Sequence, residues 1–321
     1  MSVQNTPISR RTEVSATAST VSWRGSFLFA AFAAGAGNSR VDITGYGRVA
    51  TAFESKASVR TMFLEVEEYF DVGASLPRGA IVLDVGANIG AFAIAAAKRC
   101  GGELRLFCFE PVPPLFRALE RNLKENSWLA LGHHRAFEVA LTAPDEGGTH
   151  CEFCHFRRFP RDSTMNLARK RMEFEQFFAA RGASVGRAVS WLGGGARLIE
   201  RAIGDLPKGR VGRWMSDRVS GLERIQVARN TLAKILSGDN LERIDLLKVD
   251  VEGAEIEVLA GIDPAMWSRI RQVVIESDGT DETTRSLLSA LDKRGLRVVR
   301  VVSSPLMVQR GLRNVLVYAS R

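Results

Sequence analysis

Six carboxylates and one glycine-bearing turn carry the chemistry that this 321-residue chain offers. Asp84-Val85-Gly86-Ala87-Asn88-Ile89-Gly90 stands between an apolar run at 80–84 and an alanine-rich stretch at 89–98. A chain turning there from strand to helix needs the backbone angles that Gly86 and Gly90 supply. Their missing Cβ also lets a ligand approach the backbone. Glu110 ends the next apolar run, where a carboxylate can accept both hydroxyls of a ribose. Asn88 stands where a dinucleotide fingerprint needs glycine, and Asp84 would repel a phosphate. The acidic surroundings favour a sulfonium ligand such as S-adenosylmethionine, positive at its sulfur and its ammonium group. A βα turn that binds nothing is the plain alternative.

The elements that must hold these groups follow from periodicity. Short apolar runs alternate with amphipathic stretches, the rhythm of βαβ units. Strands are predicted over 80–84, 104–109, 136–141, 244–250, 272–276, 297–302 and 314–319. Helices are predicted over 89–98, 112–126, 230–236, 254–260 and 282–293. Leu115, Phe116, Leu119 and Leu123 give the second helix its apolar face. This is an α/β chain, a seven-stranded, mostly parallel sheet with an antiparallel end strand, covered on both faces by helices. The rhythm breaks from Pro144 to about Arg224, too long for a structureless loop. A helical insertion is expected there, with helices near 166–180 and 196–203. The resulting organisation is a flexible N-terminal segment at 1–40 and a helical cap at 41–80. Then come the first half of the core at 81–143, an insertion or lid at 144–228, and the second half of the core at 229–321.

Composition narrows the setting. Hydrophobic residues at 45% and charged residues at 25% exclude a disordered or collagen-like chain. Four cysteines in this length read as reduced thiols in a cytoplasmic protein. The net charge of +8 is matched by residues 151–240 alone, where 17 Lys and Arg face 9 Asp and Glu. The run Phe27 to Ala34 is too short to span a bilayer, which takes about 20 residues. Arg10-Arg11 lies too far from that run for a twin-arginine signal.

Three segments together resemble the FkbM-type family of S-adenosylmethionine-dependent methyltransferases: VLDVGANIGAFAIAAA (82–97), FEPVPPLFRALERNLKEN (109–126) and IDLLKVDVEGAEIEVLAGI (244–262). The resemblance spans roughly residues 60–320 and is weakest across the insertion. It implies a Rossmann-like fold and S-adenosylmethionine as cofactor. Asp84, Gly86, Ala87, Asn88 and Gly90 then form the methionine pocket, and Glu110 takes the ribose. The acceptor expected from the resemblance is a small-molecule hydroxyl or carboxyl oxygen, as in a secondary metabolite.

Asp250 ends the fourth core strand, which in a doubly wound sheet lies beside the first, so it is expected near the methionine end of the cofactor, orienting cofactor or acceptor. Methyl transfer to oxygen usually wants a group to take the acceptor proton. Asp250, Glu252, Glu276 and Asp278 are the candidates. Glu252 is equally read as a cap for the helix that follows. Asp278 stands where the family shows a histidine. Lys248 shares a face with Asp250 and reads as ion-pair partner or site residue. Phe159 to Met165 resembles a Ser-Thr segment of family members acting on natural products, and Met172, Phe174, Phe177 and Phe178 would form a lid or only core.

Other signals point elsewhere. Cys151-Glu152-Phe153-Cys154-His155 is a haem-attachment string, but it lacks further ligands, so no metal is expected. Alternation around it suggests an exposed strand or hairpin. The insertion's arginines are scattered without the aromatics of a base-stacking platform, which argues against a nucleic-acid partner. Their alternatives are solvated faces or a docking surface for an acidic carrier protein, which reversing the charge of Arg169, Lys170 and Arg171 would test. An RNA or protein methyltransferase and a nucleotide-dependent oxidoreductase remain as rival readings.

Overall fold

The computed structural model describes residues 39–52, 54–144, 148–156, 163–172, 221–305, 308 and 314–321. The expected apolar N-terminal run and the expected helix near 196–203 lie outside them.

The central element is β3 (Ala80–Val85), buried at every position. It is apolar on both faces because helices cover both, as parallel sheets require. It pairs in parallel with β4 (Leu104–Phe109) on one side and β9 (Leu246–Val249) on the other. The sheet continues through β5 (His133–Phe137) at one edge. At the other it continues through β10 (Gln272–Ser277), β12 (Val315–Ser320) and β11 (Arg297–Ser303), giving the order β11-β12-β10-β9-β3-β4-β5. The last strand, β12, is antiparallel and lies between β10 and β11, one place in from the edge.

Helix α1 (Lys56–Asp71) is capped by Ser55, whose side chain accepts from the Ser58 amide. It packs with α2 (Ala91–Arg99) on one face of the sheet, where Val59, Phe63, Val66 and Phe92 join the core. Helix α3 (Pro113–Glu125) opens with two prolines, whose missing amides are no loss in a first turn. The other face is closed by α4 (Leu232–Ile235), α5 (Glu255–Ala260), α6 (Pro264–Trp267) and α7 (Asp281–Asp292).

Three elements differ from the sequence expectation. The expected helical cap at 41–80 is not all helix: α1 is preceded by a hairpin of β1 (Arg40–Ile43) and β2 (Gly47–Ala50), whose first strand begins one residue before that boundary. The strand expected over 136–141 is really β5, ending at Phe137, followed by β6 (Ala140–Leu141) in a separate sheet. As an edge strand, β5 has room for His133, His134 and Arg135, so its apolar signal is displaced towards its end. The insertion also has a β stem: β7 (His150–Phe156) pairs antiparallel with β8 (Leu222–Asn230). The 144–228 boundary therefore falls inside β8. Of the helix expected near 166–180, a turn at 167–172 is described.

Candidate active site

The turn after β3 brings three chain segments together. Gly86 has φ +75°, and a Cβ there would lie 1.7 Å from the carbonyl oxygen of Asp250. Gly90 (φ +89°) heads α2, where a Cβ would stand 2.9 Å from Leu119 Cδ1. Gly86 is thus demanded by protein packing, a tighter constraint than ligand approach alone, and Gly90 by its left-handed backbone. Asn88 between them is left-handed at φ +53°. Its amide donates to Glu110 Oε2 at 2.8 Å, and the Val112 amide donates to Oε1 at 2.9 Å. Two amides thereby fix the Glu110 carboxylate at the tip of β4. Burial pushes its pKa up to about 7, against the pull of those amides.

Glu110 lines a cleft at the ends of the parallel strands. Gly86, Asn88, Asp250 and Glu252 share its polar wall, and Val112, Leu141 and Phe153 supply an apolar one. An open crevice outside the carboxyl ends of the strands is the usual ligand site of such sheets.

Beneath the turn runs a row of charge. Asp84 is fully buried, with Lys248 Nζ 3.1 Å from its Oδ1. Lys248 donates to the carbonyl of Gly86 at 2.8 Å and lies 3.6 Å from Asp250 Oδ2. Burial alone would lower the lysine, but Asp84 and Asp250 outweigh it and hold it charged. Burial raises Asp84 and Asp250. Asp84 therefore sits below the cleft, outside its lining, its charge met by Lys248.

Asp250 is the more accessible acid, its side chain 29% exposed. The Tyr69 hydroxyl stands 3.0 Å from its Oδ2 and 2.6 Å from Glu276 Oε2. Asn314 Nδ2 donates to the other Glu276 oxygen at 2.9 Å. Burial and the nearby Asp250 push Glu276 up to about 8.

The insertion contributes the remaining contacts. Ser163 and Met165 line the cleft, and Thr164 Oγ1 donates to the Glu252 carbonyl at 2.7 Å. Lys170 Nζ meets Glu252 Oε2 at 2.6 Å. Arg169 spans Glu255 Oε2 at 3.2 Å and Asp278 Oδ2 at 3.3 Å. Arg169 and Lys170 therefore face inward, at 12% and 4% side-chain exposure, and are not the solvated docking surface expected of them. The acids on the strand ends, far off in sequence, draw them in. Glu252 is held left-handed at φ +53° and does not cap α5; Glu255 instead accepts from the Gly253 amide at 2.8 Å.

The structure thus gathers Gly86, Asn88, Glu110, Asp250 and Glu252 at one cleft. It sets Glu276 behind Tyr69, and Asp278 against Arg169. Tyr69 escaped the sequence reading because its place on an amphipathic helix marks only a core residue. Among the described residues no cluster of His, Cys, Asp or Glu could hold a metal ion, and no helix is long and apolar enough to cross a membrane.

A seven-stranded sheet with one reversed strand, opening on an acidic cleft, defines a Rossmann-like S-adenosylmethionine-dependent methyltransferase. The methyltransferase FkbM domain matches residues 84–298, and the chain belongs to that family. S-adenosylmethionine is its cofactor, which removes the oxidoreductase alternative. Methyltransferase sdnD of Sordaria araneosa is 28% identical over 256 residues, covering 77% of this chain and 85% of the relative. The 31-O-demethyl-FK506 methyltransferase FkbM of Streptomyces tacrolimicus is 32% identical over 235 residues, covering 72% and 78%. Among solved structures, Aeropyrum pernix fibrillarin with bound S-adenosyl-L-methionine aligns at TM-score 0.41 and 11% identity, over 88% of this chain and 82% of that one.

Proposed function

We propose that this enzyme methylates a hydroxyl oxygen of a small-molecule natural-product intermediate, free or presented by a carrier protein. The observation that carries this reading is the placement of Asp250. It is a partly exposed carboxylate at the tip of β9, on the cleft wall beside Glu252. The relatives support the substrate class, one of them named for a methyl transfer at O-31 of 31-O-demethyl-FK506.

The residues present suit the cofactor. Glu110, locked by two amides, offers free lone pairs to ribose hydroxyls. Val112, Leu141 and Phe153 offer an apolar wall for the adenine. The uncompensated acids beneath the turn, Asp84 and Asp250 against the single Lys248, favour a cationic sulfonium and ammonium above it. When bound, S-adenosylmethionine supplies an electrophilic methyl group and leaves as a neutral thioether. Asp250 takes the acceptor proton as oxygen gains the methyl group. Ser163, Met165 and Phe153 exclude water and shape the acceptor end of the cleft.

Calorimetry with S-adenosylhomocysteine and, separately, NAD tests the cofactor site, where only the former should bind. Comparing metabolites from cells with and without the gene should reveal a product heavier by one methylene, and Asp250→Asn should stop its formation while still folding. A product methylated on nitrogen would overturn the oxygen assignment.

A further inference from the structure

Helix α1 lies ahead of residues 84–298, the stretch matched by the family, yet it delivers a polar group to the heart of the site. Tyr69 is 3% exposed, edge-on to Phe92 with ring centroids 5.9 Å apart. Its hydroxyl is within hydrogen-bond distance of two carboxylates, at 3.0 Å from Asp250 and 2.6 Å from Glu276. A phenol has one proton to donate. Two ionised carboxylates at those distances would leave one contact as an encounter of lone pairs, which a buried site does not tolerate. The second contact therefore needs a second proton.

The surroundings decide where it resides. Asn314 donates to Glu276 Oε1, leaving Oε2, the oxygen beside Tyr69, to carry a proton. Lys248 stands 3.6 Å from Asp250 Oδ2 and favours the negative charge there. Glu65 of α1 and Glu252 after β9, the latter paired with Lys170, also act on this cluster. Both carboxylates favour retaining a proton within it. The chain then runs from Glu276 Oε2–H to Tyr69 Oη, and from Tyr69 Oη–H to Asp250 Oδ2.

We propose that Tyr69 is a positioning residue for methyl transfer, its hydroxyl joining Glu276 to Asp250 in a two-proton chain that keeps Asp250 ionised and oriented towards the acceptor. This rests on Asp250 taking the acceptor proton, as proposed above. When the acceptor O–H bond breaks and the O–CH3 bond forms, the proton goes to Asp250 Oδ1. That oxygen has no hydrogen-bond partner among the described residues. The proton leaves for solvent after the product. Tyr69 and Glu276 do not touch the acceptor; they fix the charge and rotamer of the residue that does.

The test uses the full chain without any acceptor. The infrared difference spectrum of the wild type minus Glu276→Gln at neutral pH should show an undissociated, buried carboxyl band belonging to Glu276, the contributions of Glu110 and Glu255 being common to both proteins. Carbon-13 carboxyl titration should place the Asp250 midpoint about one unit higher in Tyr69→Phe than in the wild type, because its donor is gone. A merely structural tyrosine would leave that midpoint unmoved, and this result overturns the proposal. So does a difference spectrum without that band. Glu276→Gln, nearly isosteric, keeps the first arm readable if Tyr69→Phe folds poorly. S-adenosylhomocysteine binding is measured alongside by calorimetry. Failure of the wild type to bind it would overturn the methyl-transfer reading, whereas binding with no band in the difference spectrum would overturn only the proton chain.

Discussion

The carbonyl oxygen of Asp250 fills the space that a side chain on Gly86 would enter, 1.7 Å from where its Cβ would stand. The first glycine of the turn after β3 is thus fixed by the neighbouring strand, whose tip also carries the acid proposed to face the acceptor. The Asp250 amide donates to the Val85 carbonyl at 3.1 Å, so the two strand ends are bonded right up to the turn. Gly86→Ala forces a left-handed alanine and a backbone clash together. It should destabilise the fold by about 3 kcal/mol or more, read from urea unfolding, and abolish S-adenosylhomocysteine binding. An unchanged unfolding midpoint would mean that the two strand tips can part.

Lys248 and Asp84 form a pair with 3% and 0% side-chain exposure. Removing one partner strands a charge in the core. Lys248→Met should therefore lower stability by about 3–5 kcal/mol, and Asp84→Asn in the same chain should recover much of that loss. Urea denaturation of the two single variants and the double variant measures the coupling. Simple additivity would show that the pair contributes no mutual stabilisation.

What could be read from sequence follows the same division between local and distant causes. The strands at 80–85, 104–109 and 272–277 are mostly apolar because both faces are covered, with Asp84, Arg105, Gln272, Glu276 and Ser277 as the polar exceptions, and they stand out in a linear reading. Strand β8, with Glu223, Arg224, Gln226 and Arg229 interleaved, does not stand out, since its partner β7 lies beyond the whole insertion. The glycine turn and Glu110 announce a site because their residue types are local necessities. Tyr69 is made functional by carboxylates 181 and 207 residues away, a relation that no periodicity records. Arg169 and Lys170 read as surface for the same reason: the acids that bury them are 82 and 86 residues distant.

The insertion's grip on the strand ends should depend on pH through Glu255. Burial raises this carboxyl to about 7, with Arg169 opposing the rise. An acid raised in the folded state contributes stability that is complete below its ordinary value and lost as pH climbs through the raised one. Arg169→Met removes the opposing cation and so enlarges that loss. Its deficit against the wild type should be small near about pH 5, where the ion pair with Asp278 is already lost, and larger by about 1–3 kcal/mol above about pH 7. Urea unfolding across that range checks it. A deficit of equal size at every pH would point to lost packing of the arginine stem instead.

Glu110 should make cofactor affinity and unliganded stability move in opposite directions. Its carboxyl, raised by burial to about 7, must be ionised to accept both ribose hydroxyls while two amides hold it. Affinity for S-adenosylhomocysteine should therefore rise with pH through that region, by up to about tenfold per unit below it. Over the same interval the unliganded protein loses the stability that a protonated, buried Glu110 confers, so its Tm should fall as binding tightens. Glu110→Gln cannot ionise. It should bind about 10- to 100-fold more weakly at about pH 8, having lost charge-assisted hydrogen bonds to the ribose, and its affinity should be nearly flat with pH. Calorimetric titrations paired with thermal melts at the same pH values separate the two effects. A wild-type affinity that stays level through neutrality would show that Glu110 is ionised throughout, the two amides having outweighed burial.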